Sequence, residues 1–400
     1  MNIFLLLGIL FIVSFIFGHV LEKLRIPWIF AALLFGLGLS FGNPFQEITD
    51  SGSFQFMSQM GFFMLLFLIG FELDVRKILQ SGKFIMKATF LIELTEMLLV
   101  GTALHFLFNL DWPIAILLAL SFATVGEAIL LPMLDEFKLV KTKIGQLILG
   151  IATFDDVFEI LVLFAIILLA PMLLGGSVQQ QVYDPLLIQA LLVMLGLLLF
   201  VLLTVKKLKK EVAMMKVPNV ATVLPLVFSI FFIFVGIDGS SEQNVAVLGA
   251  LFAGIVAKSL LPVHFLEELE PQIKTITYGL FAPIFFLQVG IETDASYILS
   301  NVWIVILIGT IAYLAKIVGS FLVGRKELGN KPAIFMGVAL GVRFSTSIVF
   351  LKILLDSQLI STEIYSAMLG TSILFKFVIP PLLALLVGKW GIDRLEKVKA

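Results

Sequence analysis

The chain has 400 residues, of which 60% are hydrophobic, 12% aromatic and 14% charged, with a mean hydropathy of +1.11. Soluble domains carry about 25% charged residues, and 27 Lys or Arg against 28 Asp or Glu leave a net charge of −1. A disordered chain and a nucleic-acid-binding protein are therefore excluded, and the lack of Cys removes zinc fingers, iron–sulfur sites and disulfide frameworks.

What remains is an all-α polytopic membrane protein. A crossing helix needs roughly 20 apolar residues, and in chain order the predicted spans are thirteen: 2–20, 27–42, 55–71, 84–108, 112–134, 144–171, 185–205, 219–236, 243–257, 275–291, 301–324, 332–355 and 361–388. The first has no basic leader and no small-residue cleavage site, so it reads as a retained helix rather than a signal peptide. Lys87, Lys316, Arg343, Lys352 and Lys376 fall within spans; every other Lys and Arg falls in one alternate set of loops, and none in the other. That asymmetry marks the cytoplasmic side. It places the N-terminus outside and the C-terminus in the cytoplasm, and it requires an odd number of spans.

Two segments repeat at an offset of 220: LFLIGFELD from Leu66 to Asp74 matches FLQVGIETD from Phe286 to Asp294, and Leu149 to Ala152 matches Leu369 to Ser372. Leu33 to Gly36 matches Leu251 to Gly254 at 218. Self-similarity of this kind precedes other fold reasoning. It maps the third span on the tenth and the sixth on the thirteenth. An odd number of spans separates the equivalents, so the two six-helix copies are inverted, as in secondary transporters whose site lies near mid-membrane.

The spans also contain Glu93, Glu96, Glu127, Asp155, Asp156 and Glu159. An ionisable group inside a membrane is a functional hypothesis by default. Lys87 and Lys352 lie near span ends and are expected to snorkel. Asp155 and Asp156 sit about mid-span, and adjacent carboxylates in low dielectric do not both ionise without a cation nearby. They suit a metal cation or protons in competition, unless they serve as a packing ion pair with Lys316, Lys376 or Arg343. Glu159 follows one turn later and reads either as part of that site or as a packing partner. In span 5, Thr124-Val125-Gly126-Glu127 suits local unwinding, as does Gly341-Val342-Arg343-Phe344-Ser345 in span 12, because freed carbonyls and half-helix ends can serve ions. Glu127 is a candidate third acid. Glu93 and Glu96 share a face of span 4 and are either structural or line an aqueous funnel. His19, His105 and His264 are scattered, and no HExxH, Walker or G-x-S-x-G motif is present, so a resident metal or cofactor is not expected. Two adjacent aspartates on one helix do not make an intramembrane protease dyad.

LRIPWIFAALLFGLGLSFG from Leu24, LFLIGFELDVRKI, GQLILGIATFDDVFEI and FAPIFFLQVGIETD together resemble the monovalent cation–proton antiporter-2 family, across nearly the whole chain. The resemblance implies a homodimer with a dimerisation domain in two parts (1–75 and 219–295) and a core domain in two parts (76–175 and 296–388). A linker helix with a basic loop (176–218) and a short cytoplasmic tail (389–400) complete the chain. It further implies crossing broken helices in spans 5 and 12, elevator-like alternating access, and an electrogenic Asp-Asp type. Asp156 would take Na⁺ (or Li⁺) and protons alternately, while Asp155 would pair with Lys316, a lysine able to carry a second proton. The family's Thr-Ser-Pro or Thr-Asp-Pro turn is replaced by Thr124-Val125-Gly126-Glu127, and its Arg-Gly-Glu by Arg343-Phe344-Ser345, so Thr124, Arg343 and Ser345 join Glu127 and Glu159 as supporting residues. The family's nucleotide-binding tail does not appear. The expected function is Na⁺/H⁺ antiport in a prokaryotic inner membrane. The alternatives are K⁺/H⁺ antiport on the same scaffold, a sodium-coupled symporter or a channel.

Overall fold

A computed structural model of the chain describes residues 2–24, 26–73, 82–173, 220–237, 243–343 and 345–392, with a few positions between 192 and 204. Every regular element among them is helical, because a lipid interior offers no partner for backbone N–H and C=O groups and helices satisfy them internally. The helices are α1 (Ile3–Lys23), α2 (Phe30–Leu39), α3 (Gln46–Thr49), α4 (Gly52–Glu72), α5 (Lys83–Phe108), α6 (Trp112–Phe122), α7 (Glu127–Glu136) and α8 (Lys143–Leu173). They continue with α9 (Leu224–Gly236), α10 (Gln243–Leu260), α11 (Val263–Ile276), α12 (Ala282–Ile291), α13 (Ala295–Ser300), α14 (Val302–Leu328), α15 (Asn330–Leu340), α16 (Ser345–Asp356) and α17 (Thr362–Trp390). Among the described residues, 6 helices are long and apolar enough to cross a membrane, with His264–Ile291 running through a π turn at Thr277–Phe281. The span expected at 185–205 and the basic run to Lys216 lie largely or wholly outside the described residues.

The helix ends follow local chemistry. Asn2 accepts from the Phe4 N–H at 3.1 Å, Ser51 from Phe54 at 3.4 Å and Ser361 from Ile364 at 3.5 Å, each relieving an N–H that has no intrahelical partner. Gly329 at φ 86° and Gly391 at φ 62° end α14 and α17 in a backbone region that side chains resist.

The chain expected to form single spans at 112–134 and 332–355 is interrupted twice. Residues 123–126 separate α6 from α7, and residues 341–343 lie between α15 and α16. The interruptions touch, since the Gly126 N–H donates to the Val342 carbonyl at 2.7 Å.

Packing sorts the helices into two groups. One has α2 on α12, α4 on α10 and α12, and α9 on α10, with α1 against α2. The other has α5 on α14, α6 and α8, α14 on α15 and α17, and α6 on α8. The first group is fastened at two crossings without side chains. A Cβ on Gly36 would strike the Leu287 carbonyl, and one on Gly290 the Leu33 carbonyl; one on Gly70 would strike the Leu251 carbonyl, and one on Gly254 the Phe67 carbonyl. Small residues let apolar helices approach until their backbones touch, and dispersion then holds them.

Gly36 and Gly38 provide an internal comparison, because a Cβ on Gly38 meets nothing within 4 Å. Gly36→Ala is expected to lower stability by about 1–3 kcal/mol through overpacking, and Gly38→Ala to leave it unchanged or slightly raised. Thermal unfolding of the purified protein in detergent checks both, and equal midpoints would show that the crossing is not tight.

Candidate functional site

The second helix group surrounds the two interruptions. Breaking a helix exposes carbonyls at the end of the first half and N–H groups at the start of the second, with partial negative and positive charge respectively. Three of these ends have a partner of the matching sign. At the end of α6, Arg343 donates to the Phe122 carbonyl and Lys316 to the Ala123 carbonyl. On the far side of the same gap, the Val125 N–H donates to Asp155 Oδ2 at 2.8 Å. At the end of α15, the Tyr313 hydroxyl donates to the Gly341 carbonyl at 2.6 Å. At the start of α16, Thr346 stands beside the Glu159 carboxylate.

Asp155 and Glu159 lie one turn apart on α8, so a single helix face meets both gaps. Asp155 is 2% exposed and Glu159 3% exposed, while Asp156 is half-buried. The side chains of Glu127 and Ser345, two of the residues expected to support the site, lie outside the described residues. Thr124 is within the first gap, with its hydroxyl oxygen buried and without a hydrogen-bond partner.

The buried bases are engaged elsewhere. Lys316 Nζ lies 2.9 Å from Glu93 Oε1 and 3.3 Å from Glu96 Oε2. Arg343 pairs with Glu96 Oε1 and stacks over the Phe122 ring at 4.0 Å from its centroid, a cation–π contact. Two acids and two bases thus close into a neutral cluster sealed from solvent. The expected pairing of Lys316 with Asp155 is not the one found. α14 packs on α5 so closely that a Cβ on Gly319 would come within 2.9 Å of the Ile92 Cα. That approach puts Lys316, one turn before Gly319, against the residues that follow Ile92 and turn toward it. Glu93 and Glu96 are accordingly ion-pair partners of Lys316 and Arg343 and do not line an open funnel.

The remaining charges divide between surface and interior. Lys87 is exposed, as snorkelling requires. The Lys352 ammonium lies 2.9 Å from Glu292 Oε2 and 2.5 Å from Asp356 Oδ1. It faces a cavity of about 260 Å³ between α4, α12 and α16, lined by Gln55, Gln59 and Gln288 as well as these charges. The Glu292 bridge joins α16 to the end of α12. Lys376, 7% exposed, has its ammonium 3.7 Å from the centre of the Phe30 ring. His105 stacks on Trp112 at 4.1 Å and bonds the Leu110 carbonyl. Among the described residues no three His, Asp or Glu side chains converge to hold a metal ion.

The Lys316 partners were the part of the site least visible beforehand. One signal was available: two glutamates three residues apart in the middle of one span, balanced by two bases in later spans. The Lys352–Glu292 bridge had a weaker one, since Glu292 belongs to the repeated Gly-x-Glu segment.

Comparison with known proteins places the chain. The model of the family described as sodium/hydrogen exchanger, transmembrane, matches residues 8–386. A Na⁺/H⁺ antiporter of Enterococcus hirae is 26% identical over 397 residues, covering 94% of this chain and 96% of the relative. A probable Na⁺/H⁺ antiporter of Methanocaldococcus jannaschii is 27% identical over 386 residues, covering 94% of each. The solved structure of the sodium proton antiporter MjNhaP1, from the same archaeon, superposes with a TM-score of 0.63 at 19% identity and covers 97% of both chains, which shows a shared fold. Such relatives are transporters rather than enzymes. The chain is a multi-pass membrane protein that belongs to the sodium/hydrogen exchanger family.

Proposed function

We propose that the protein exchanges Na⁺ (or Li⁺) for H⁺, with the cation and protons competing for Asp156. One observation carries this reading: the Lys316 ammonium and the Arg343 guanidinium are taken up by Glu93, Glu96 and two helix-end carbonyls. Asp155, beside Asp156, receives a backbone N–H and, among the described residues, no basic side chain within 4.0 Å. A buried carboxylate left so is costly unless a positive charge arrives. A mobile cation or a proton supplies it, and mutual exclusion between the two is the coupling an antiporter needs. Thr124, whose hydroxyl oxygen is unoccupied in the first gap, is a candidate neutral ligand. The cation is cargo, and no resident cofactor is required.

The two helix groups would serve as dimerisation domain (1–75 and 219–295) and core domain (76–175 and 296–388) of a homodimer, with the inverted repeats supplying alternating access. The glycine crossings favour that division. Gly36 and Gly254 occupy matching repeat positions, as do Gly70 and Gly290, and the crossing of Gly36 with Gly290 becomes that of Gly254 with Gly70 when the repeats are exchanged. An elevator-like shift of the core would carry both interruptions across the membrane. The protein would lie in a prokaryotic inner membrane, N-terminus outside and C-terminus within. The geometry also admits K⁺/H⁺ antiport, since the chain's donors do not distinguish the alkali ions by charge.

Lys316 and Asp155 hold the same four-residue gap from opposite sides, through Ala123 and Val125. Cation binding that moves the gap would loosen the lysine, which could then carry a second proton and make exchange electrogenic.

In proteoliposomes with an imposed proton gradient, Na⁺ or Li⁺ is expected to dissipate the gradient and Asp156→Asn to abolish the response; full activity in that variant would remove Asp156 from the site. A K⁺/valinomycin potential is expected to change the rate, whereas no change would indicate one-for-one exchange. Lys316→Met leaves Glu93 and Glu96 facing an unbalanced charge and is expected to cost about 3–5 kcal/mol in stability. Adding Glu93→Gln should recover part of that loss in a detergent melting assay.

A further inference from the structure

Lys352 has no part in the mechanism above, yet its ion pair joins the two helix groups. It stands on α16, which packs on α6, α8 and α17 of the second group and also touches α4 of the first. Its partner Glu292, 2.9 Å away, ends α12. The Gln288 amide donates to Glu292 Oε1 at 2.7 Å and holds that carboxylate to α12, which is itself fixed to α2 by the crossing of Gly290 with Gly36. The same ammonium lies 2.5 Å from Asp356 Oδ1, one turn along α16.

This arrangement lets the pair part without stranding a charge. If α16 moves away from α12, Lys352 keeps Asp356 on its own helix and Glu292 keeps Gln288 on its own. The two side chains are 15% and 26% exposed, and the cavity of about 260 Å³ beside them is polar and roomy enough to admit water. Such a pair gains little net energy, because solvent competes for both ions, whereas the sealed Lys316 cluster is costly to break.

The repeat also loses its symmetry here. Glu72, which matches Glu292 at the offset of 220, lies 2.9 Å from Lys274 on α11. α11 runs through the π turn into α12, so that bridge stays within the first group. The stretch of α7 that matches Lys352 at offsets of 218 to 220, Pro132 to Leu134, carries no charge. Where alternating access arises from two inverted repeats, a bridge present at one end alone favours one of the two states.

We propose that the Lys352–Glu292 pair is a reversible latch between the helix groups, weighting the conformational equilibrium toward the state in which α16 lies against α12. Under the topology proposed above, the latch is at the outer face. The proposal rests on the reading of the two groups as parts that move against each other during exchange.

The chain has no Cys, so Gln46→Cys and Thr362→Cys, at exposed positions starting α3 and α17, can carry a pair of nitroxides. Pulsed electron paramagnetic resonance in proteoliposomes reads the distance between them, with each single-labelled protein measured alongside to remove distances between copies. One distance is expected to dominate with the latch intact. Lys352→Gln and Glu292→Gln are each expected to raise the share of a second distance about three- to fivefold. Lys352→Arg is expected to keep the original distribution, and Lys352→Glu combined with Glu292→Lys to restore it. The two neutral variants are independent, so misfolding of one leaves the other as the test. An unchanged distribution in the neutral variants, or a shift that the charge exchange does not reverse, would overturn the latch. The distances are read without transport, so absence of any Na⁺ or Li⁺ response in the wild-type protein would overturn the antiport reading alone.

Discussion

Charge placed in an apolar interior has to be matched locally, and the second helix group is arranged around that constraint. A bilayer core has too little polarity to stabilise an isolated ion, so each buried charge needs a counter-charge, a helix end or a mobile ion. Lys316 and Arg343 have two of these at once, a glutamate and a helix-end carbonyl. On α8, Asp155 accepts a helix-end N–H from Val125 and, among the described residues, has no basic side chain within 4.0 Å. The imbalance lies on α8, where the ion site is proposed.

The interruptions are the means by which this balance is reached without loops of water. A continuous helix through residues 112–136 or 330–356 would have presented no free carbonyl to Lys316 or Arg343 and no free N–H to Asp155. Opening the backbone costs hydrogen bonds, which Asp155 on α8, Tyr313 and Lys316 on α14, and Arg343 in the second gap replace. Removing one charge therefore disturbs a backbone segment as well as an ion pair, which is why breaking a buried pair is more harmful than never having formed it.

Much of this was legible in the residues. Hydropathy placed most helices to within a few positions, and Gly126 and Gly341 beside charged residues marked both interruptions. The repeated glycines at 36, 70, 254 and 290 appeared first as string matches and proved to be backbone contacts. Partner choice was less legible. Lys316 was expected at Asp155, yet the depth of packing at Gly319, a tertiary distance with no local signature, brought Glu93 and Glu96 nearer. Lys352 looked like a residue at a helix end free to reach the surface. Its partners sit on α12, some sixty residues earlier, and at the end of its own helix, and only the docking of two helix groups makes the first of them adjacent.

The glycine crossings have a consequence for how the chain is made. Each joins a helix of the first half to one of the second, α2 to α12 and α4 to α10, so neither half can close its own backbone contacts. At about 5–20 residues per second of synthesis, the grooves over Gly36 and Gly70 would wait roughly 10–50 s for their partners. During that time they face lipid or other nascent helices with nothing to fill them. Assembly of the first helix group is therefore a late event in biogenesis, governed by contacts far apart in sequence, and a chain halted before α12 would keep the Gly36 groove open.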